Sequence, residues 1–233
     1  SSKSVKPTAS PLLRGLTRQL REALSALKPH AAAPLPAVRF EALEPRLLLA
    51  GDLATLAGGT LAVNTTTAND RVVVEQVSGN LSDGVLVNVS VGGLTQSFGT
   101  VDAPVTRIVI DGQGGDDEFV LQNLISVEVD ITGGSGTDTL QGPAILGNWE
   151  ITGADAGTMD PGGAAAATLF TGVERLQGGS GADRFVFRNG GTLGAGVDGG
   201  AGEDTLIGAN TLNQWDLTGA NAGVLAGAGS FSA

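Results

Sequence analysis

The nine residues GGSGTDTLQ (133–141) decide the fold: three glycines fall within four positions, and an aspartate follows two residues later. Glycine at that density weakens a helix and a strand alike, so the stretch is a corner rather than an element. The same frame returns as GGSGADRFV at 178–186 and GGAGEDTLI at 199–207, and GQGGDDEFV at 112–120 departs only by Gln113 in place of the second glycine. Short apolar runs lead into these corners, such as RIVID and VDIT, and looser glycine turns follow EIT at Gly153 and DLT at Gly219. The six turns start at Gly112, Gly133, Gly153, Gly178, Gly199 and Gly219, a nearly constant step that widens once, between Gly153 and Gly178. A longer period runs through them at a single offset, by which Trp149 recurs as Trp215, Asp117 as Asp183 and Asp138 as Asp204. One strand–turn–strand in every coil of roughly 20 residues predicts an all-β chain, a right-handed parallel β-solenoid with its glycine corners stacked on one edge.

Composition agrees. Of 233 residues, 37 are glycine and none is tyrosine, so the core is built from Val, Leu, Ile and Ala in thin layers. There is no cysteine, which excludes disulfides and thiolate chemistry, and the one histidine, His30, sits in the Pro/Ala-rich segment KPHAAAPLP as a linker residue. A Ser-His-Asp triad and a histidine zinc site are thereby excluded. No apolar stretch is long enough for a transmembrane helix.

The net charge of −11 is divided unevenly. Residues 1–50 carry eight Lys/Arg against three Glu, whereas residues 51–233 carry five Arg, no Lys and 21 Asp/Glu. The acidic body disfavours nucleic acid and favours cations as partners. Three domains follow. Residues 1–50 hold a short basic amphipathic helix over 11–28, a flexible Pro-rich linker and the segment FEALEPRLLLAGDL (40–53). Residues 51–105 are expected to form an irregular or antiparallel β cap, with VSVGGLTQ as a hairpin. Residues 106–233 are the solenoid.

Leu43-Glu44-Pro45-Arg46-Leu47-Leu48-Leu49 resembles the LEPR-XLL motif near the N-terminus of large, repetitive bacterial surface proteins, which implies sorting or export to a secreted or cell-surface location. The glycine corners resemble the G-G-x-G-x-D-x-U-x nonapeptide of the repeats-in-toxin (RTX, hemolysin-type) family over about residues 107–225. That resemblance implies calcium-binding β-rolls. It makes Asp117, Asp138, Asp183 and Asp204 the candidate Ca2+ ligands, together with the corner glycines Gly112, Gly115, Gly133, Gly134, Gly136, Gly178, Gly179, Gly181, Gly199, Gly200 and Gly202.

The residues supply a mechanism of their own. Coils stacked about 4.8 Å apart place Asp117 over Asp138 and Asp183 over Asp204. Calcium takes 6–8 oxygens from carboxylates and carbonyls, so it would clamp neighbouring coils where the carboxylates otherwise repel. The pattern also departs from the family. Same-side turns, as from Asp117 to Asp138, are spaced more widely than two tandem nonapeptides, and Thr158 and Val224 stand where the third coil would carry aspartate. Two isolated two-coil sites are therefore expected, with Asp116 and Glu203 close by. The alternative is that the aspartates bond turn amides and hold no metal.

The function this suggests is the calcium-stiffened structural portion of an exported, adhesin-like protein, not an enzyme. The competing reading is a β-helix polysaccharide-processing enzyme or a glycan-binding module, with Arg175, Arg184 and Arg188 as its only clustered bases. Trp149 and Trp215 are expected to pack in strands rather than to stack on sugar.

Overall fold

The computed structural model describes Arg21 and residues 54–81, 84–100, 102–162, 166–209, 213–219, 222–226 and 228–232. The chain divides into two units, Ser1–Leu43 and Glu44–Ala233. Of the first, only Arg21 is described, and it is helical. The rest of the basic helix, the linker and the LEPR-XLL-like segment lie outside the described residues. Among the described residues no helix is long and apolar enough to cross a membrane.

Among its described residues the second unit is all-β, with nineteen strands in two mixed sheets. β1 (Ala54–Ala57) and β2 (Thr60–Asn64) form a hairpin in sheet A. β3 (Arg71–Leu81), β4 (Gly84–Val91) and β5 (Leu94–Phe98) form an antiparallel meander in sheet B. The chain then alternates between the sheets. β6 (Arg107–Asp111) is in A, β7 (Glu118–Leu121) in B, β8 (Glu128–Thr132) in A and β9 (Thr139–Gln141) in B. β10 (Asn148–Gly153), β11 (Ala156–Asp160) and β12 (Thr168–Thr171) make a second meander, in A. Alternation resumes with β13 (Arg175–Gln177) in B, β14 (Arg184–Phe187) in A, β15 (Gly196–Asp198) in B and β16 (Thr205–Ile207) in A. A third meander, β17 (Trp215–Gly219), β18 (Ala222–Leu225) and β19 (Gly229–Ser232), closes sheet B.

Strands of successive circuits pair in parallel, and the register repeats at the step read from the sequence. Ile108 faces Val129, Phe119 faces Leu140, Leu176 faces Val197 and Phe185 faces Leu206, each pair separated by the same stretch of chain as Asp117 and Asp138. Alternation along each strand sends one face inward. In RIVID of β6, Ile108 and Ile110 are buried while Arg107 and Asp111 are exposed, and EVDIT of β8 repeats the pattern with Val129 and Ile131. The inward rows of both sheets form one contiguous apolar core. Like residues stack along it, as in the row Val72, Phe119, Leu140, Leu176 and Val197 of sheet B.

Two of the sequence expectations are corrected. Uniformly parallel coils are interrupted by the three antiparallel meanders, so each sheet is mixed. The six glycine turns also do not share one edge. Gly112 and Gly133 begin crossings from sheet A to sheet B, whereas Gly178 and Gly199 begin crossings from B to A at the opposite edge. Gly153 lies in the β10–β11 hairpin and Gly219 pairs with Ala222 in the β17–β18 antiparallel pair, so neither is a corner.

Candidate functional site: carboxylate ladders at the corners

At the A-to-B edge the aspartates are strung from circuit to circuit through backbone amides. The Asp70 N–H donates to Asp117 Oδ1 (2.7 Å), the Asp117 N–H to Asp138 Oδ1 (2.8 Å) and the Asp138 N–H to Glu174 Oε2 (2.8 Å). Each carboxylate therefore reaches back one circuit. The residues just before them add a second row, the Asp116 N–H donating to Asn69 Oδ1 (2.9 Å) and the Thr137 N–H to Asp116 Oδ1 (2.8 Å). The B-to-A edge repeats the inner row: Gly147 N–H donates to Asp183 Oδ1 (2.7 Å) and Asp183 N–H to Asp204 Oδ1 (2.8 Å).

The structure thus brings Asp117 against Asp138, and Asp183 against Asp204, in adjacent circuits. The candidate ligand set read from the sequence left out Asn69, Asp70, Gly147 and Glu174. Asn69-Asp70 had a readable signal, since it precedes a Val-rich strand as Asp116-Asp117 precedes EFVL. Glu174 had none, because the β10–β12 meander separates it in sequence from the Asp138 it bonds.

The position of each corner's first glycine follows from its aspartate and, at Gly112, Gly133 and Gly178, from a still closer backbone carbonyl of the adjoining circuit. A Cβ on Gly112, Gly133 or Gly178 would lie 2.7 Å from Asp117 Oδ2, 2.6 Å from Asp138 Oδ2 and 2.5 Å from Asp183 Oδ2, and Gly199 stands in the same way to Asp204. The corner carbonyls are engaged as well. Ser135 O accepts from Gly115 N–H (2.9 Å), Gln113 O from Ser135 N–H (3.2 Å) and Gly179 O from Ala201 N–H (3.1 Å). The remaining corner glycines Gly134, Gly136, Gly181, Gly200 and Gly202 are placed against the backbone of a neighbouring circuit.

Asp117, Asp138 and Asp183 are buried. Burial pushes the Asp117 carboxyl up to about 6, against the Asp70 amide that favours its charged form, while Asp138, Asp70 and Asp116 raise it further. Burial likewise raises Asp138, with Glu174 and Asp116 adding to the effect, and raises Asp183 against the Gly147 and Gly179 amides. A carboxyl with a raised folded value takes up a proton on folding between its unfolded value, about 3.9, and its folded one. The stability it contributes is then highest below that window and falls as pH rises through it. Thermal melts should therefore show a higher midpoint at pH 4.5 than at pH 7. Asp117→Asn should reduce that slope, and an unchanged slope would contradict this account of Asp117.

The donor set was expected to suit calcium. Asp117 Oδ2, Asp138 Oδ2 and Asp204 Oδ2 are buried without a hydrogen-bond partner, which is the kind of oxygen a cation satisfies. The other oxygen of each already accepts a backbone amide of the adjoining circuit, so one carboxylate oxygen is left at each of these three, and none at Asp183, whose Oδ1 and Oδ2 accept the Gly147 and Gly179 amides. Calcium needs 6–8, and among the described residues no three His, Cys, Asp or Glu side chains converge. The space between Asp117 and Asp138, where the clamp was expected, is bridged by the Asp117 amide itself. With one unbonded carboxylate oxygen each, Asp117 and Asp138 alone supply fewer oxygens than a calcium shell takes. Thr158 stands in strand β11 opposite Glu150 and Leu169, not in a corner, so an aspartate there would not extend the ladder beside Asp138.

The remaining candidates resolve simply. Trp149 is 0 % exposed, stacked on Phe185 at 5.5 Å and tilted against Phe170, whereas Trp215 is 41 % exposed beside Phe231. They lie in different sheets and form no sugar-stacking pair. Arg188 is bonded to Glu150 across the β10–β14 pair. Compared with known proteins, the chain matches no family model, no curated protein and no solved structure.

Proposed function

We propose that the chain is a non-catalytic, structural part of an exported, repetitive surface protein. In this reading residues 106–233 are a β-solenoid with circuits of roughly 20 residues, thickened by meanders, and residues 1–50 direct export. The observation that carries it is the use made of the acidic corner residues. Asp117, Asp138, Glu174, Asp183 and Asp204 all accept amides of a neighbouring circuit. A carboxylate committed to an amide is a poor general acid or base and a good cross-link. Five acidic side chains at the corners are thus used in stacking, which suits a structural segment of a stalk.

The division of the chain at residues 43 and 44 supports assigning the basic segment a separate task. Deleting residues 1–38 should leave the melting midpoint of the remainder nearly unchanged while abolishing display on the cell surface. A deletion that unfolds the body, or one that leaves display intact, would overturn the assignment.

A further inference from the structure

The longer sequence period is a unit of seven strands, β6–β12 followed by β13–β19. Each unit visits the sheets five times, because its last three strands stay in one sheet. Five is odd, so the second unit repeats the first with the sheets exchanged. Among the described residues, every pairing within the first unit recurs in the second: β6–β8 as β13–β15, β7–β9 as β14–β16, β8–β12 as β15–β19, and the meander β10–β11–β12 as β17–β18–β19. Two further pairings join the units, β9–β13 and β10–β14. Their counterparts would fall on β16 and β17, which are the terminal strands of sheets A and B.

We infer that β16 and β17 together form an acceptor for one further strand–corner–strand segment of the kind that residues 173–188, VERLQGGSGADRFVFR, supply to β9 and β10. Those residues cover both strands at once, with Leu176 opposite Leu140 and Phe185 opposite Trp149. At the acceptor end the same positions are uncovered. Leu206, the counterpart of buried Leu140, is only partly buried, and Trp215, the counterpart of Trp149, is 41 % exposed. An open pocket of ≈ 190 Å³ lies beside β16, lined by Phe185, Val197, Leu206 and Phe231 among others. Charge agrees with shape: Arg188 bonds Glu150 on β10, and Asp216, the counterpart of Glu150, is exposed on β17. An incoming segment thus needs an inward Leu on its first strand, an aspartate corner, an inward Phe on its second strand and an arginine to meet Asp216. A folded second copy cannot offer its own residues 173–188, which are already spent between its sheets. Addition of strands to open sheet edges gives backbone hydrogen bonds, and the alternate side chains give the selectivity. The inference stands on the sheet edges and the internal repeat, independently of export.

The test appends a second copy of residues 172–188 to the C-terminus of the full chain. Trp215 emission should shift to the blue, its quenching by acrylamide should fall severalfold and the melting midpoint should rise. Trp149, already buried, leaves that signal to Trp215, which a Trp215→Phe version identifies. The Phe185→Ala change made only in the appended copy should cancel these effects while the native copy keeps the body folded. An appended segment that leaves Trp215 quenchable, or one whose effect survives the Phe185→Ala change, would overturn the inference. So would a full chain that is already dimeric with Trp215 protected, since a second copy would then be the occupant.

Discussion

Gly133→Ala is expected to lower stability by about 3 kcal/mol, or roughly 6–12 °C in melting midpoint for a body of this size. An alanine methyl there would collide with the Gly172 carbonyl of the adjoining circuit and lie 2.6 Å from Asp138 Oδ2. The first is backbone directly after β12 and the second is a buried carboxylate bonded to the Asp117 amide, so neither yields easily. Gly153→Ala is the control. It starts a turn of similar appearance, yet its nearest atom is the Ala156 Cβ at 3.6 Å and its φ is not in the left-handed region. That change should be within about 0.5 kcal/mol of neutral, as surface substitutions away from such contacts are. Equal losses for the two variants in thermal or urea unfolding would refute the claim that a corner glycine is fixed by its aspartate and the adjoining backbone.

The second large effect is at Asp138. Asp138→Ala removes the acceptor of the Asp117 N–H and leaves that amide buried and unpaired, at a cost of about 2–3 kcal/mol. Asp138→Asn keeps an acceptor oxygen and removes a charge whose burial is unfavourable, so at pH 7 it should fall within about 1 kcal/mol of wild type. A calcium clamp makes a different forecast. Both variants would lose the site, and the wild type alone would gain about 2.7 kcal/mol at a hundredfold excess of calcium over Kd. Melts of the three proteins in millimolar calcium and in EGTA separate the cases. A midpoint rise with calcium that is confined to the wild type would reinstate the metal and sink the amide-staple account.

Much of this architecture was legible from the chain alone. Alternation in RIVID and EVDIT, the constant step between corners and the recurrence of Asp117, Asp138, Asp183 and Asp204 are local or periodic features, and backbone and side-chain sterics read them the same way in any context. The placement of those aspartates in neighbouring circuits follows from the step. The turn at Gly153 also carried a local signal that it differs, for its frame lacks the double glycine. Asp155 there takes a φ of 50° in the tight β10–β11 hairpin.

Tertiary structure decided the rest. A glycine turn reverses or redirects the chain equally well, and which it does depends on whether the next strand finds its partner beside the last strand or in the opposite sheet. The β10–β12 and β17–β19 meanders exist because those partners lie side by side, and the odd count of sheet visits in each unit sends the second unit to the other edge. The bridging role of Glu174 depends on bringing it to Asp138 across that meander. The hydrogen-bond partners of the aspartates were decided at the same level. Periodicity set their spacing and could not show which neighbour would fill the gap between two stacked carboxylates. Folding fills it with a backbone amide, because parallel strands one circuit apart present an N–H at hydrogen-bonding distance, and a buried N–H without a partner is costly.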